Sequence, residues 1–440
     1  MLERVSIIFR ARIFHTPGNP FETPGALEAF TGAVAVTDGR IGAVGTFGEV
    51  QKQYPGAPVL GDGNDYLLPG FIDTHVHYPQ VGVVGAMGLT LLDWLRERTL
   101  PEEARLADTE YARVVARRFL RALARNGTTT ALVFGAHQPG AQGAFFEEAE
   151  ASGLRITSGL VLGDRLLRPD LEADPETCFA ESEALINTWH QRGRLRYAVT
   201  PRFSLSCSEG VLEAAGSLLR AHPNVRFQTH LNESPAEIAT VAELFPWARD
   251  YLETYERFGL VGERSLFAHN VHVTNDELGR LGAARAAVAH CPSSNMFIGS
   301  GLFPLRRHLE RGIRVALGSD VGGGTGFSLF KEGLMSYQGQ MLLSSSHTDG
   351  FPLGPAHLLY LATRAGALAL GLDELGDLTP GRQADLLLLR PPENSTLADV
   401  LAQSPSAEAS LGAVFTLARE ESVREVFVAG EPLFTRLGLV

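Results

Sequence analysis

Lysine is nearly absent from this chain of 440 residues: of its 38 basic residues, only Lys52 and Lys331 are lysines. Acidic residues number 50, and the formal net charge at pH 7 is −12. Nucleic-acid-binding proteins usually carry a basic stripe or patch, and this sequence has none. The composition therefore argues against a nucleic-acid polymer as a partner.

Cysteine and long apolar runs are also scarce. The three cysteines, Cys178, Cys207 and Cys291, are widely spaced and form no C-x-x-C pair. This usage is typical of a reducing compartment and argues against a disulfide framework. No uncharged apolar run reaches the roughly 20 residues of a membrane span, and the first residues lack the pattern of a signal peptide. We therefore predict a soluble, cytoplasmic protein without membrane contact.

Two kinds of pattern divide the chain. Residues 1–66 and 376–440 are rich in short β-strand patterns broken by turns, and we predict that they pair into one small β-sandwich domain. In residues 67–375, apolar strand-like runs alternate with amphipathic helical segments, which is typical of β-α units around a parallel sheet. The predicted strands of this region are 71–77, 128–134, 155–162, 196–203, 225–231, 265–271, 286–291 and 314–320. Eight such units predict an α/β fold with a (β/α)₈ TIM barrel.

Residues with metal-binding and acid–base chemistry occur at the ends of the predicted strands. The carboxyl ends of barrel strands meet at one active site, so these side chains are expected to lie together. Imidazole nitrogens and carboxylate oxygens suit a zinc or iron ion, although two of these histidines alone could equally be structural. The residues are His75, His77, His230, Glu233, His269, His290 and Asp320.

The scarcity of lysine limits which kind of metal centre the chain can form. Many barrels of this type hold two metal ions bridged by a carbamylated lysine at the end of the fourth strand. Here that strand ends in Arg202 and Phe203, and neither lysine lies at a strand end. We therefore expect one metal ion, held by nitrogen and oxygen ligands, with an open position for water. The expected ligands are His75, His77, His230 and Asp320.

Glu233 is the candidate proton shuttle. It follows the expected ligand His230 by three residues, and a capping box, Ser234-Pro-Ala-Glu237, starts a helix directly after it. A carboxylate at this position can take a proton from water and pass it to a substrate nitrogen. The alternative role is to complement the helix dipole, worth about 0.3–1 kcal/mol. His269 is the candidate for polarising the water, with a core histidine as the alternative.

Several motifs resemble the amidohydrolase superfamily, in its mononuclear zinc deaminase branch. These motifs are Leu-Pro-Gly-Phe-Ile-Asp-Thr-His75-Val-His77, Gln-Thr-His230-Leu-Asn-Glu233, Ala-His269, His290-Cys-Pro-Ser-Ser-Asn and Leu-Gly-Ser-Asp320. Three further stretches resemble the guanine-deaminating family within this branch. They are Tyr78-Pro-Gln80, Val-Thr-Pro-Arg202-Phe203-Ser-Leu-Ser-Cys-Ser208 and Asp320-Val-Gly-Gly-Gly324.

The resemblance implies a set of roles for these residues. One Zn²⁺, or alternatively Fe²⁺, would be bound, with Glu233, His269 and Asp320 as catalytic residues. A small purine base would be held by Gln80, Arg202, Phe203 and His230. The implied reaction is hydrolysis of guanine to xanthine and ammonia, by attack of hydroxide at C2. Guanine presents O6 and N7 as adjacent acceptors, which an arginine can contact with two donors. The resemblance also implies a homodimer.

Other functions remain open from the sequence. Another mononuclear deaminase, acting on an adenosine-like nucleoside, 8-oxoguanine or a triazine, would share every metal ligand. A catalytically inactive barrel serving as a scaffold is the alternative outside enzymes, but the full ligand set argues against it. Hydrolases of cyclic amides usually need the missing lysine. The zinc cytidine deaminases need a Pro-Cys-x-x-Cys pair, which Cys291-Pro-Ser-Ser does not supply.

Overall fold

The computed structural model describes residues 6–346 and 349–436. The strands, in chain order, are β1 (Ser6–His15), β2 (Glu28–Thr37), β3 (Arg40–Gly45), β4 (Val59–Leu60), β5 (Tyr66–Pro69), β6 (Phe71–His77), β7 (Thr128–Phe134), β8 (Arg155–Gly159), β9 (Val161–Leu162), β10 (Arg196–Pro201), β11 (Arg226–Leu231), β12 (Ser265–His269), β13 (Ala287–His290), β14 (Arg314–Leu317), β15 (Leu386–Leu389), β16 (Val423–Val428) and β17 (Glu431–Thr435).

The α-helices are α1 (Phe47–Gln53), α2 (Leu91–Trp94), α3 (Leu100–Ala104), α4 (Thr109–Arg125), α5 (Pro139–Ser152), α6 (Pro175–Trp189), α7 (Glu209–Ala221), α8 (Pro235–Leu244), α9 (Tyr251–Glu256), α10 (Asn275–Ala283), α11 (Pro292–Phe297), α12 (Leu305–Leu309), α13 (Leu329–Ser346), α14 (Pro355–Ala362), α15 (Arg364–Ala369), α16 (Thr396–Ala402) and α17 (Ala407–Leu417). None of the helices in the described ranges is both long and apolar enough to span a membrane.

The middle of the chain forms the predicted parallel barrel. Its strand order is β6-β7-β8-β10-β11-β12-β13-β14, and β9 pairs with β10 beside β8. The last strand returns to the first, since Thr74 Oγ1 donates to Leu317 O at 2.9 Å and Asp320 N donates to His75 O at 2.8 Å. The (β/α)₈ prediction is confirmed. The predicted strand 155–162 is interrupted at Leu160, between β8 and β9.

Side-chain caps set where several barrel helices begin. Asp108 caps α4 by accepting hydrogen bonds from Glu110 N and Tyr111 N, and Ser208 caps α7. The predicted capping box of α8 is present: Ser234 accepts from Glu237 N, and the Glu237 side chain accepts from Ser234 N. Each cap satisfies backbone N–H groups that the first helical turn leaves unpaired. The helix starts are therefore fixed at the rim where the site lies.

Strands from both ends of the chain pair in one mixed sheet, in the order β17-β16-β15-β5-β1-β2-β3. Antiparallel pairing of β5 with β15, in which Leu67 lies opposite Leu388, joins the two ends. Phe9 on β1 contacts Phe427 on β16 at a ring separation of 4.9 Å, although β5 and β15 lie between them. The sheet therefore curls over a shared apolar core. The division at residues 66 and 376 stays a prediction.

A buried ion pair connects this sheet to the barrel. Arg155, the first residue of β8, donates from Nε to Asp385 Oδ2 at 2.8 Å and from Nη2 to Oδ1 at 3.1 Å. Asp385 also accepts from Ala429 N at 2.9 Å, and its side chain is 4% exposed. Bidentate pairing of this kind fixes both distance and orientation. The sheet is thereby held against the amino-terminal end of the barrel, opposite the catalytic rim.

Candidate metal centre and active site

Four donor atoms from three barrel segments meet at the carboxyl ends of the strands. His77 Nε2 lies 3.2 Å from His75 Nε2, 3.3 Å from His230 Nε2 and 3.2 Å from Asp320 Oδ1. Asp320 Oδ1 also lies 3.2 Å from His75 Nε2. All four side chains are buried. The structure thus brings together the four residues that were expected to bind metal.

The donor set fits one divalent cation. Three imidazole nitrogens and one carboxylate oxygen converge on one point, and a cation there would contact all four atoms at once. Zinc–nitrogen bonds of about 2.0–2.1 Å in a tetrahedron place neighbouring donors about 3.3 Å apart, close to the separations observed. Burial lowers the pKa of His77 to about 4, which keeps the ring neutral, as a metal ligand must be. Burial raises the pKa of Asp320, but the hydrogen bonds of Asp320 with His75 and His77 have the larger combined effect. The pKa of Asp320 therefore stays well below its usual range.

Neighbouring groups orient these ligands. His230 Nδ1 donates to Arg202 O at 2.6 Å, which leaves Nε2 free to bind a cation. Asp73 accepts from Ser319 N at 3.0 Å and from Ser319 Oγ at 2.5 Å, and so ties the end of β14 to β6. Asp320, the next residue, has a φ of +48°. That left-handed conformation is uncommon for a residue other than glycine, and it persists only where surrounding contacts enforce it.

Glu233 lies beside the ligand cluster, together with His269. Glu233 Oε2 is 3.5 Å from His269 Nε2, and Oε1 accepts a hydrogen bond from Ser300 Oγ at 3.3 Å. His269 Nε2 is also 3.9 Å from Asp320 Oδ2, while its Nδ1 lies 2.9 Å from Asn295 Oδ1. An imidazole that donates from Nδ1 to the asparagine oxygen turns Nε2 towards both carboxylates. The two expected catalytic carboxylates therefore share one histidine neighbour.

The environment of Glu233 favours a carboxyl group that holds a proton. Burial raises its pKa well above the usual value, and the charges of Glu237 and Asp320 raise it further. Glu237 also accepts a hydrogen bond from Glu233 N at 2.9 Å and one from Tyr251 OH at 2.7 Å. Glu237, in the capping box of α8, thus fixes the backbone of Glu233 and raises the pKa of the Glu233 side chain. A proton shuttle requires a pKa moved towards neutrality in this direction.

A cavity of about 340 Å³, counted with its opening to solvent, lies next to the donor atoms. The residues that line it are His77, Gln80, Leu91, Trp94, Leu95, Arg202, Phe203, His230, Glu233, His269, Ile298 and Asp320. Every residue expected to hold substrate is therefore among them. Trp94 Nε1 is buried and has no hydrogen-bond partner within residues 6–346 and 349–436.

Two residues of the site, Glu103 and His137, were not predicted from the sequence. Arg202 Nη1 donates to Glu103 Oε2 at 2.5 Å, and His137 Nε2 lies 3.3 Å from the same oxygen. Gln80 Nε2 donates to Glu103 Oε1 at 2.8 Å. His137 follows β7 by three residues, so inspection of the residues just beyond that strand would have found it. Glu103 lies on α3, far from any strand end, and has no local signature.

The expectation that His290 joins the cluster was wrong. His290 ends β13, but its Nε2 lies 3.1 Å from Ser336 Oγ on α13, and its ring stacks on Phe303 at 4.4 Å. Burial lowers its pKa to about 3, so the ring stays neutral. The side chain lies between β13 and α13, and its Nδ1 is buried without a hydrogen-bond partner among the described residues. The histidines that line the cavity are His77, His230 and His269, and His75 joins them in the donor cluster.

The chain is similar to known proteins over most of its length. The model of the amidohydrolase family matches residues 66–433. This chain belongs to the amidohydrolase family. The match covers the barrel and reaches into the terminal sheet, and it confirms the family predicted from the motifs. A second model, the imidazolonepropionase-like composite domain of bacteria, matches residues 32–57 of that sheet.

Individual relatives of this amidohydrolase are similar over nearly their full length. A protein from Deinococcus radiodurans named "Probable guanine deaminase" is 58% identical over 436 residues, covering 98% of this chain and 99% of the relative. The solved structure of the E. coli guanine deaminase has a TM-score of 0.93 at 34% identity and covers 99% of this chain and 100% of its own. A guanine deaminase from C. acetobutylicum, with guanine bound in its active site, has a TM-score of 0.90 at 28% identity, covering 98% of this chain and 100% of its own.

Proposed function

We propose that this amidohydrolase is a guanine deaminase, a hydrolase that converts guanine and water to xanthine and ammonia. The observation that carries the proposal is one cavity lined both by the metal-donor cluster and by Gln80, Arg202 and Phe203. Relatives named guanine deaminase, one of them with guanine bound, support the same substrate. The partner is then a small purine base.

The cation is zinc in this proposal, with Fe²⁺ as the alternative. His75, His77, His230 and Asp320 would hold it through three nitrogens and one oxygen, a donor set that suits either metal. When bound, the ion supplies a hydroxide nucleophile at neutral pH. Metal analysis of the purified protein tests both the stoichiometry of one and the identity of the ion.

The side chains of the cavity bind the base, transfer protons and orient the water. Arg202 and Gln80 hold the edge of the base, Phe203 packs against its face, and His230 contributes the wall beside the metal. Glu233 receives the proton of the attacking water and delivers it to a ring nitrogen next to C2. Asp320 then takes the second proton, from the hydroxyl group added at C2, and passes it to the 2-amino group. The C2–N bond breaks, ammonia leaves and the C2 carbonyl of xanthine forms. His269, facing both carboxylates, orients the water between them.

Glu233→Gln is the central test of this assignment. The amide keeps the shape of the side chain but cannot cycle a proton, so we expect turnover of guanine to fall by about 10²- to 10⁴-fold with the metal retained. Glu243→Gln, an exposed position on the same helix α8, is the matched control. Ammonia release from guanine, adenosine, cytosine and 8-oxoguanine tests the substrate. An active Glu233→Gln enzyme would refute the shuttle role, and no activity of the parent protein on guanine would refute the function.

We further propose a cytoplasmic homodimer. The reducing location is supported by Cys178, Cys207 and Cys291, which are all buried and unpaired. Dimerisation is supported by exposed apolar side chains on α13, where Tyr337 is 38% and Met341 46% accessible. Sedimentation velocity of the parent protein and of Met341→Glu tests the association. A monomer at micromolar concentration would contradict it.

A further inference from the structure

Glu103 is a buried carboxylate that contacts the base-binding residues from outside the cavity. It is 3% exposed and makes three polar contacts, to Arg202 Nη1 at 2.5 Å, Gln80 Nε2 at 2.8 Å and His137 Nε2 at 3.3 Å. It does not line the cavity, whereas Arg202 and Gln80 both do. Glu103 is therefore placed to act on a bound base only through its neighbours.

The charge of Glu103 has a clear local effect. Burial raises the pKa of a carboxyl group, but the adjacent Arg202 and His137 outweigh this and hold the pKa of Glu103 below its usual range. The buried guanidinium is thus paired with an ionised partner. A buried arginine without one would carry an uncompensated charge, which is strongly unfavourable. Pairing at Nη1 also fixes the plane of the guanidinium, since its donors form a rigid fork.

Gln80 is fixed by the same carboxylate. Its Nε2 donates to Glu103 Oε1, and its Oε1 accepts from Gly322 N at 3.1 Å. Oε1 of Glu103 therefore holds Gln80, while Oε2 holds Arg202 and also lies beside His137. A change in this carboxylate alters the direction of both side chains at once. That arrangement is how a recognition site is held rigid before its ligand arrives.

We infer that Glu103 is a positioning residue that selects for bases with acceptor atoms on the edge facing Arg202. The carboxylate occupies Nη1 of Arg202, and Arg202 lines the cavity, so in this inference the other guanidinium donors are the ones that meet the base. Those donors favour acceptors such as O6 and N7 of guanine and disfavour a base that presents an amino group there. The inference rests on the proposed function, because it concerns how that same substrate is chosen.

Glu103 lies close in the chain to three apolar residues of the cavity wall. Leu91, Trp94 and Leu95 line the cavity, and the chain runs from them through a π-helical segment, Leu95–Thr99, into α3 with Glu103. π-Helical turns are rare in proteins and are frequently found at functional sites. Three apolar residues of the cavity wall and Glu103 therefore belong to one continuous stretch of chain.

Glu103→Gln tests the inference, with Glu102→Gln as the matched control. Glu102 is the preceding residue and is also largely buried, but it accepts from Tyr111 OH at 2.5 Å and Arg105 Nη1 at 2.7 Å instead of from cavity residues. We expect Glu103→Gln to raise KM for guanine by about 10- to 100-fold, as for loss of a charged hydrogen bond, with a much smaller change in kcat. Glu102→Gln should keep the parent KM.

Inhibition by two guanine analogues gives a measurement that a loss of protein stability would not change. 2-Aminopurine lacks O6, and 7-deazaguanine lacks the N7 acceptor. The inhibition constant of each analogue for the parent enzyme should therefore be higher than the KM for guanine. In Glu103→Gln this discrimination should shrink, because the guanidinium is no longer aligned. Glu103→Asp keeps the charge on a shorter side chain and should restore part of the discrimination. Metal content should be unchanged in each variant.

The outcomes separate the inference from the proposed function. If the parent enzyme deaminates guanine and Glu103→Gln keeps its KM and its discrimination, the positioning role is refuted. If kcat falls with KM unchanged, or if both Glu103 variants fail to fold, the role is structural and the inference is equally refuted. If the parent enzyme does not accept guanine at all, the proposed function fails instead.

Discussion

Glu332 makes the folded protein less stable as the pH rises. It lies on α13, fully buried, and one of its oxygens accepts a hydrogen bond from Ser293 N at 3.0 Å. Burial raises its pKa from 4.5 to about 8, against the smaller opposing effect of the Ser293 hydrogen bonds. We predict that Glu332→Gln removes this pH dependence, because an amide has the shape of the protonated acid and does not titrate.

The sign and size follow from proton binding. Between pH 4.5 and 8 the unfolded chain has released a proton that folded Glu332 still holds. The free energy of unfolding therefore falls by about 1.4 kcal/mol for each pH unit over that window. From pH 5 to pH 7.5 the variant should gain about 3 kcal/mol relative to the parent protein.

Urea unfolding of the metal-loaded parent and Glu332→Gln proteins, at intervals from pH 5 to pH 7.5, measures this difference. Titrating groups that do not interact with Glu332 act equally in both proteins and cancel when the two free energies are subtracted; Asp73, whose charge raises the pKa of Glu332, is the exception. A difference that grows steadily with pH supports the reasoning. Two curves that stay parallel over the window would show that Glu332 is ionised in the folded protein, and the reasoning would be refuted.

Two further predictions concern the metal ligands and the terminal sheet. His77→Gln should lose the bound metal, as measured by mass spectrometry. His290→Gln should keep the metal, because His290 lies outside the cluster. Equal loss of metal in both variants would contradict this geometry. Arg155→Ala should lower the free energy of unfolding by about 3 kcal/mol, since Asp385 would remain buried without its ion-pair partner. In the same denaturation assay, the exposed control Arg168→Ala should change stability little, and equal effects would refute the importance of the pair.

The sequence predicted the barrel well because its strands are short, apolar and separated by capped helices. The predicted strands 71–77 and 128–134 have the bounds of β6 and β7, and the Ser234 capping box starts α8 as expected. These features depend on residues close together in the chain. The interruption at Leu160 depends instead on how β9 pairs with β10, and no local pattern reports such pairing.

The candidate site was predictable where side chains follow strand ends. His75, His77, His230 and Asp320 meet because parallel strands deliver their last residues to one rim. The same rule failed for His290, since a strand end does not determine on which side of the strand a side chain lies. Glu103 was not predictable, because it reaches the site from a helix and its importance depends on contacts across 99 residues of sequence.

The pairing of β5 with β15 has a consequence for how the chain is made. On a ribosome, Tyr66, Leu67 and Leu68 emerge long before the residues opposite them, and the entire barrel is synthesised in between. Until then one edge of β5 offers unpaired backbone groups and apolar side chains to any neighbouring polypeptide. Completion of this sheet is therefore a late event in biogenesis, and chaperone capture of nascent chains should be strongest just before residue 386 appears.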